Sequence, residues 1–128
     1  MIEPVFSHRA PAPGGIYSQG LKVDGWLFTA GVGPIDPVSG AVVGSTIEEQ
    51  TRQVLKNLEA ILEAGGCRFR DVVKASVFLQ NLQRDFAGFN QTYQEFFQPP
   101  YPVRTTVGAD LKDILVEIDL IARIPHNG

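Results

Sequence analysis

An α+β fold follows from three observations in this 128-residue chain. Two stretches carry apolar residues at helical period, strand-like runs lie before, between and after them, and only one such run separates the two helices. The order reads β-β-β-α-β-α-β-β, with two helices able to cover one face of a single sheet. No internal repeat or composition break divides it, so residues 1–128 are read as one domain.

Each element has its own signal. Residues 1–15 hold Pro4, Pro11, Pro13, Gly14 and Gly15, which limits them to a short opening strand followed by a loop. The runs YSQGLKV and WLFTAGV are joined by Asp24-Gly25, a dipeptide suited to the positive φ angles of a tight hairpin. GPIDPVSG is turn-rich, and AVVG is a possible short strand. Ser45 and Thr46 precede Glu48 and Glu49 at capping-box spacing, Ile47, Val54, Leu58, Ile61 and Leu62 form a helical stripe, and Gly65-Gly66 ends it, so a helix is predicted over 46–64. DVVKASVFLQ alternates as a strand. Phe86, Phe89, Tyr93 and Phe96 form a second stripe, giving a helix over 85–97 that Pro99-Pro100 closes. Strands are predicted at 102–109 and 114–124, paired as a hairpin through Asp110-Leu111-Lys112-Asp113.

The last strand sorts its residues cleanly. Val116, Ile118, Leu120, Ala122 and Ile124 face one way, and Leu115, Glu117, Asp119, Ile121 and Arg123 the other. Two helices cannot cover both faces of the sheet. A second face that is half apolar and half charged is expected to be buried against another copy of the chain.

Composition narrows the function. The net charge is −3, with eleven Lys and Arg scattered among fourteen Asp and Glu, which disfavours nucleic acid as a partner. No apolar run approaches the roughly 20 residues of a membrane helix, and the start Met1-Ile2-Glu3-Pro4 lacks the pattern of a signal peptide. The single cysteine, Cys67, allows no intrachain disulfide and reads as a structural thiol. A cytoplasmic protein is expected. His8 and His126 lie near the termini with no cluster of ligand spacing, so no metal is expected.

Arg104 is the one charge in PPYPVRTTVG. Strand parity pairs it with Thr106, and the expected hairpin brings it near Glu117 on the polar face. The two either form a cross-strand ion pair or hold an anion between them, the guanidinium gripping a carboxylate and Glu117 accepting a proton. Gly31-Val32-Gly33 is either a strand end or a source of exposed backbone N–H groups. Tyr17 packs or closes a pocket. Asn90 lies on the second helix, off the aromatic stripe.

APGGIYSQG, LFTAGVGPIDPVSG, EEQTRQVLKNLEAILEAGG, DVVKASVFLQNLQRDFAGFNQTYQEFF, PVRTTVGADL and VEIDLIA together resemble, in order and spacing, the reactive intermediate deaminase (Rid, YjgF-type) family across nearly the whole chain. The resemblance implies a chorismate-mutase-like mixed sheet with two helices on one face, assembled as a homotrimer whose sheets line a central barrel with active sites between subunits. It implies hydrolysis of 2-enamine or 2-imino acids, such as 2-aminoacrylate and 2-iminobutanoate, to 2-keto acids and ammonia, without metal or organic cofactor. Arg104 then clamps the substrate carboxylate, Glu117 positions or activates water, and Tyr17 lines the cleft. Gly31, Asn90 and Thr106 contact substrate. A non-catalytic keto-acid-binding trimer is the alternative, and a ribonuclease a more distant one. Two departures stand out: Ala30-Gly31-Val32 replaces the family's frequent Ser-Gly-Gln, and Thr106 replaces a frequent cysteine.

Overall fold

The computed structural model describes residues 1–126. Six strands form one mixed sheet: β1 (Ile2–Val5), β2 (Gly20–Val23), β3 (Trp26–Thr29), β4 (Val72–Leu79), β5 (Val103–Gly108) and β6 (Val116–Arg123). Two helices, α1 (Ile47–Ala64) and α2 (Leu82–Tyr93), complete the α+β fold. The order across the sheet is β1-β2-β3-β6-β4-β5.

Local sequence sets most of these elements. Asp24 and Gly25 take φ of 50° and 85°, as the tight β2–β3 turn requires. Thr46 caps α1: its hydroxyl accepts from Glu49 N at 3.1 Å, and the Glu49 carboxylate accepts from Thr46 N at 3.2 Å. The second helix starts earlier than its aromatic stripe suggested and stops at Tyr93, so Phe96 and Phe97 fall in the turn before Pro99. AVVG forms no strand; Val42 makes only an isolated bridge to Ile35.

The hairpin expected between the last two strands does not form. The fifth strand lies parallel to β4, joined to it through α2, while the sixth runs antiparallel between β3 and β4. Residue character explains this. Val116, Ile118, Leu120 and Ala122 are buried, and such a strand belongs at the sheet centre. Pro99, Pro100 and Pro102 precede β5, whose Val103, Thr105 and Val107 are exposed, and prolines with a half-wetted strand belong at an edge.

The core sits between the helices and one sheet face. Val54, Leu55, Leu58, Ile61 and Leu62 of α1 are buried with Leu27, Ala75, Val77 and the inward residues of β6. Each Val, Leu and Ile side chain among them contributes roughly 1.5–3 kcal/mol by leaving water. The opposite face stays open in the single chain: Phe28 is 42% exposed, and Phe78, Glu117, Asp119 and Ile121 are half-buried. No helix among the described residues is long and apolar enough to cross a membrane.

Candidate active site

Tyr17, Gly31 and Glu117 meet at one end of the sheet. The segment before Tyr17 is rich in Pro and Gly and has no ladder to hold it. Buried Gln19 does so instead: its Nε2 donates to Ser7 O and Pro11 O at 3.1 and 2.8 Å, and its Oε1 accepts from Ser7 N at 2.6 Å. Tyr17 Oη accepts from Gly14 N at 3.0 Å. Tyr17 and Gly31 line a cavity of about 350 Å³, with Ala12, Ala30 and Ile35 in its wall.

Gly31 stands beside β6, fixed by the mutual backbone bonds of Val32 and Ile118 at 2.8 and 3.1 Å. A Cβ on Gly31 would collide with Glu117 Oε2 and lie 2.9 Å from that carboxyl carbon. Glycine therefore lets the Glu117 carboxylate rest against the backbone. Burial raises the Glu117 carboxyl above its ordinary pKa, and the negative charge of Asp119 on the same face adds to the rise. Asp119 is raised by its own burial, against the opposing pull of a Ser76 hydrogen bond and of Lys74. Lys74 Nζ donates to Thr105 Oγ1 at 3.0 Å.

Arg104 lies elsewhere. It is opposite Ala75 on β4, on the helix-covered face, and its guanidinium carbon sits 4.8, 5.3 and 6.0 Å from the ring centres of Tyr93, Phe89 and Phe86 on α2. Three π faces hold the cation without neutralising it. It has no carboxylate within ion-pair distance among the described residues. Burial pushes the Tyr93 phenol up to about 12, although the Arg104 charge pulls the other way. Thr106 Oγ1 is buried without a hydrogen-bond partner, and Thr106 lines a second cavity of about 440 Å³ with Leu82, Gln83, Phe86 and Ala87. Asn90, one turn beyond Phe86, is half-buried.

The expectation that Arg104 and Glu117 share a face is therefore corrected. Glu117 is opposite Phe78, and Arg104 is opposite Ala75; these two β4 residues point to opposite sides of the sheet. Parity within each strand was right, but β4 intervenes between the two strands, and no cross-strand ion pair exists within one chain. The residues singled out in the sequence fall into two groups: Tyr17, Gly31 and Glu117 at one place, Arg104, Thr106 and Asn90 at another.

Two groups escaped the sequence reading. The aromatic stripe of α2, which predicts the helix, also seats Arg104. Asn57 was not singled out. It is fully buried, and its Nδ2 donates to Gly33 O and Ile35 O at 3.1 and 2.9 Å, pinning the loop after Gly31. An asparagine inside the Val54/Leu58/Ile61 stripe was the available signal, since a buried amide needs partners. Cys67 is buried and its thiol is pushed up to about 11, mainly by burial, which fits a structural role. Among the described residues no cluster of three or more His, Cys, Asp or Glu is placed to hold a metal ion.

A sheet of this order, with a carboxylate lying on a backbone glycine and an arginine seated on helix aromatics, can be matched to known proteins. The family described as Endoribonuclease L-PSP matches residues 7–124, and the chain belongs to this Rid-type family. A RutC family protein of Pyrococcus horikoshii is 46% identical over 124 residues, covering 95% of this chain and 98% of its own. Reactive Intermediate Deaminase A of Arabidopsis thaliana, a chloroplastic protein, is 39% identical over 95% of this chain and 66% of its own. The crystal structure of Escherichia coli TdcF with bound serine superposes with a TM-score of 0.89 at 35% identity, covering 94% of this chain and 98% of that one.

Proposed function

We propose that the protein hydrolyses 2-imino acids, and their enamine tautomers, to 2-keto acids and ammonia, at sites completed between copies of the chain in a homotrimer. The observation that carries this reading is the un-neutralised Arg104, seated over three rings with no carboxylate at ion-pair distance among the described residues. Its planar fork suits a carboxylate held by two parallel hydrogen bonds. The names of relatives support the reaction class: one is a reactive intermediate deaminase, and a structural neighbour holds serine, a carboxylate of the right size. The open sheet face, apolar at Phe28, Phe78 and Ile121, supplies the surface for a second copy.

In this mechanism Arg104 of one copy fixes the substrate carboxylate, which aims the adjacent C=N carbon at Glu117 of another. Glu117 takes a proton from water as the oxygen attacks carbon, giving a tetrahedral carbinolamine. The proton passes to nitrogen, Glu117 carries the carbinolamine hydroxyl proton to the amine in turn, the C–N bond breaks, and ammonia departs as the C=O bond forms. A carboxyl with a raised pKa is a stronger base when ionised and a ready donor when protonated, so one group serves both transfers. Gly31 offers backbone N–H to the substrate, Tyr17 closes the cleft, and Asn90 and Thr106 flank Arg104.

The test couples an imine-generating dehydratase to keto-acid detection in the presence of an amine trap. The wild-type protein accelerates keto-acid release, and Arg104→Ala loses roughly 100-fold or more, as expected for a group that pairs with a desolvated charge. Equal rates with and without protein would replace the enzyme with a keto-acid-binding protein. RNA cleavage abolished by Arg104→Ala would favour the activity named in the family description.

A further inference from the structure

The cavity shared by Tyr17 and Gly31 has a chemistry that the reaction itself does not require. We propose that it is the side-chain subsite of the reaction centre, and that the preferred substrates are 2-imino acids bearing larger aliphatic, thioether or aromatic chains. This rests on the imine-hydrolase reading above.

Position gives the first argument. Gly31 lines the cavity and the Glu117 carboxylate rests against the same glycine, so a substrate carbon held beside Glu117 has its side chain within reach of this space. Size gives the second. Ligand cavities run from roughly 300 to 1,000 Å³, and this one is about 350 Å³. A methyl or ethyl group leaves most of that unfilled, while a branched or thioether chain occupies it.

Lining gives the third. Pro11, Ala12, Ala30, Ile35 and Ile61 present carbon. Most polar groups nearby are already engaged: the Gln19 amide is bound to Ser7 and Pro11, the carbonyls of Gly33 and Ile35 accept from Asn57, and Tyr17 Oη accepts from Gly14 N–H, which leaves the Gly31 N–H and the Tyr17 O–H as donors. A substrate hydroxyl entering this space exchanges water for carbon. Ala30 matters most here, because a serine in its place would put a hydroxyl on the wall. Each methylene that moves from water into such a wall favours binding by roughly fourfold.

The experiment measures kcat/KM for imines generated by an amino-acid oxidase from alanine, 2-aminobutyrate, leucine, methionine, phenylalanine and serine, with catalase present to remove peroxide. The expected result is a rise of at least about tenfold from the alanine-derived to the leucine- or methionine-derived imine. The serine-derived imine should be no better than the alanine-derived one. Ala30→Ser and Ile35→Ser, each checked for an intact melting transition, should flatten the gradient. Equilibrium binding of the matching 2-keto acids provides a readout that needs no turnover. Graded keto-acid binding without hydrolysis of any imine would remove the hydrolase reading and leave the subsite standing. Hydrolysis with no dependence on chain length, or a gradient unchanged in both variants, would overturn the subsite.

Discussion

The two faces of β6 make the most instructive contrast in the molecule. Val116, Ile118, Leu120 and Ala122 are sealed under α1, and every one of them finds apolar neighbours within its own chain. Glu117, Asp119 and Ile121, interleaved with them, are only half-covered, and both acids sit above their ordinary pKa because burial has removed water, a cost that Lys74 offsets only in part at Asp119. One face is finished by folding. The other is left in a state that folding alone does not satisfy, two strands away from an arginine with the complementary problem. The difference teaches where chemistry can be stored: at charges the single chain leaves uncompensated.

The largest expected effect breaks this contrast directly. Arg104→Ala and Glu117→Gln should each be inactive alone. Unfolded together and refolded into the proposed homotrimer, they should recover about a quarter of wild-type activity, because random assembly pairs an intact Arg104 with an intact Glu117 in that fraction of its sites. No recovery would place both groups of each site in one chain, which the sheet order argues against.

A second effect is smaller and concerns stability. Glu117 has a folded pKa above its unfolded one, so its protonation favours the native state below the ordinary carboxylate range, and that contribution is lost as pH rises through the raised value. Glu117→Gln removes the charge that burial penalises. In ligand-free protein at pH 7 it should raise the melting temperature by a few degrees, a gain that vanishes on acidification below the ordinary carboxylate pKa. An unchanged or lowered melting temperature would mean that a cation from a neighbouring copy already balances Glu117.

The smallest effect separates a bystander from a contact. Thr106 Oγ1 is buried with no partner. Thr106→Val should leave the ligand-free protein within about 1 kcal/mol of wild type by chemical denaturation. If Thr106 contacts substrate, KM should rise several-fold in the same variant.

Much of this was legible in advance. The Asp24-Gly25 turn, the Thr46/Glu49 cap and the β6 alternation are local signals, each written within a few residues, and each appears where the sequence put it. Sheet order is different in kind. Whether β6 pairs with β5 or slips between β3 and β4 depends on which strands can tolerate an edge, a comparison across more than ninety positions of the chain. The residue types at the site were readable because a lone arginine and an alternating glutamate stand out. Their separation was not, since parity within a strand says nothing about which face a neighbour shares with it. Gln19 and Asn57 were hidden because a buried amide declares itself only through the carbonyls it meets.

The interleaving in β6 also constrains how this gene can change. Substitutions can tune the acids and the core independently, since odd and even positions answer to different demands. A deletion or insertion of one residue within Val116–Ala122 has no such freedom: it reverses the facing of every strand residue on one side of it relative to the other, setting buried and half-covered positions at odds in a single step.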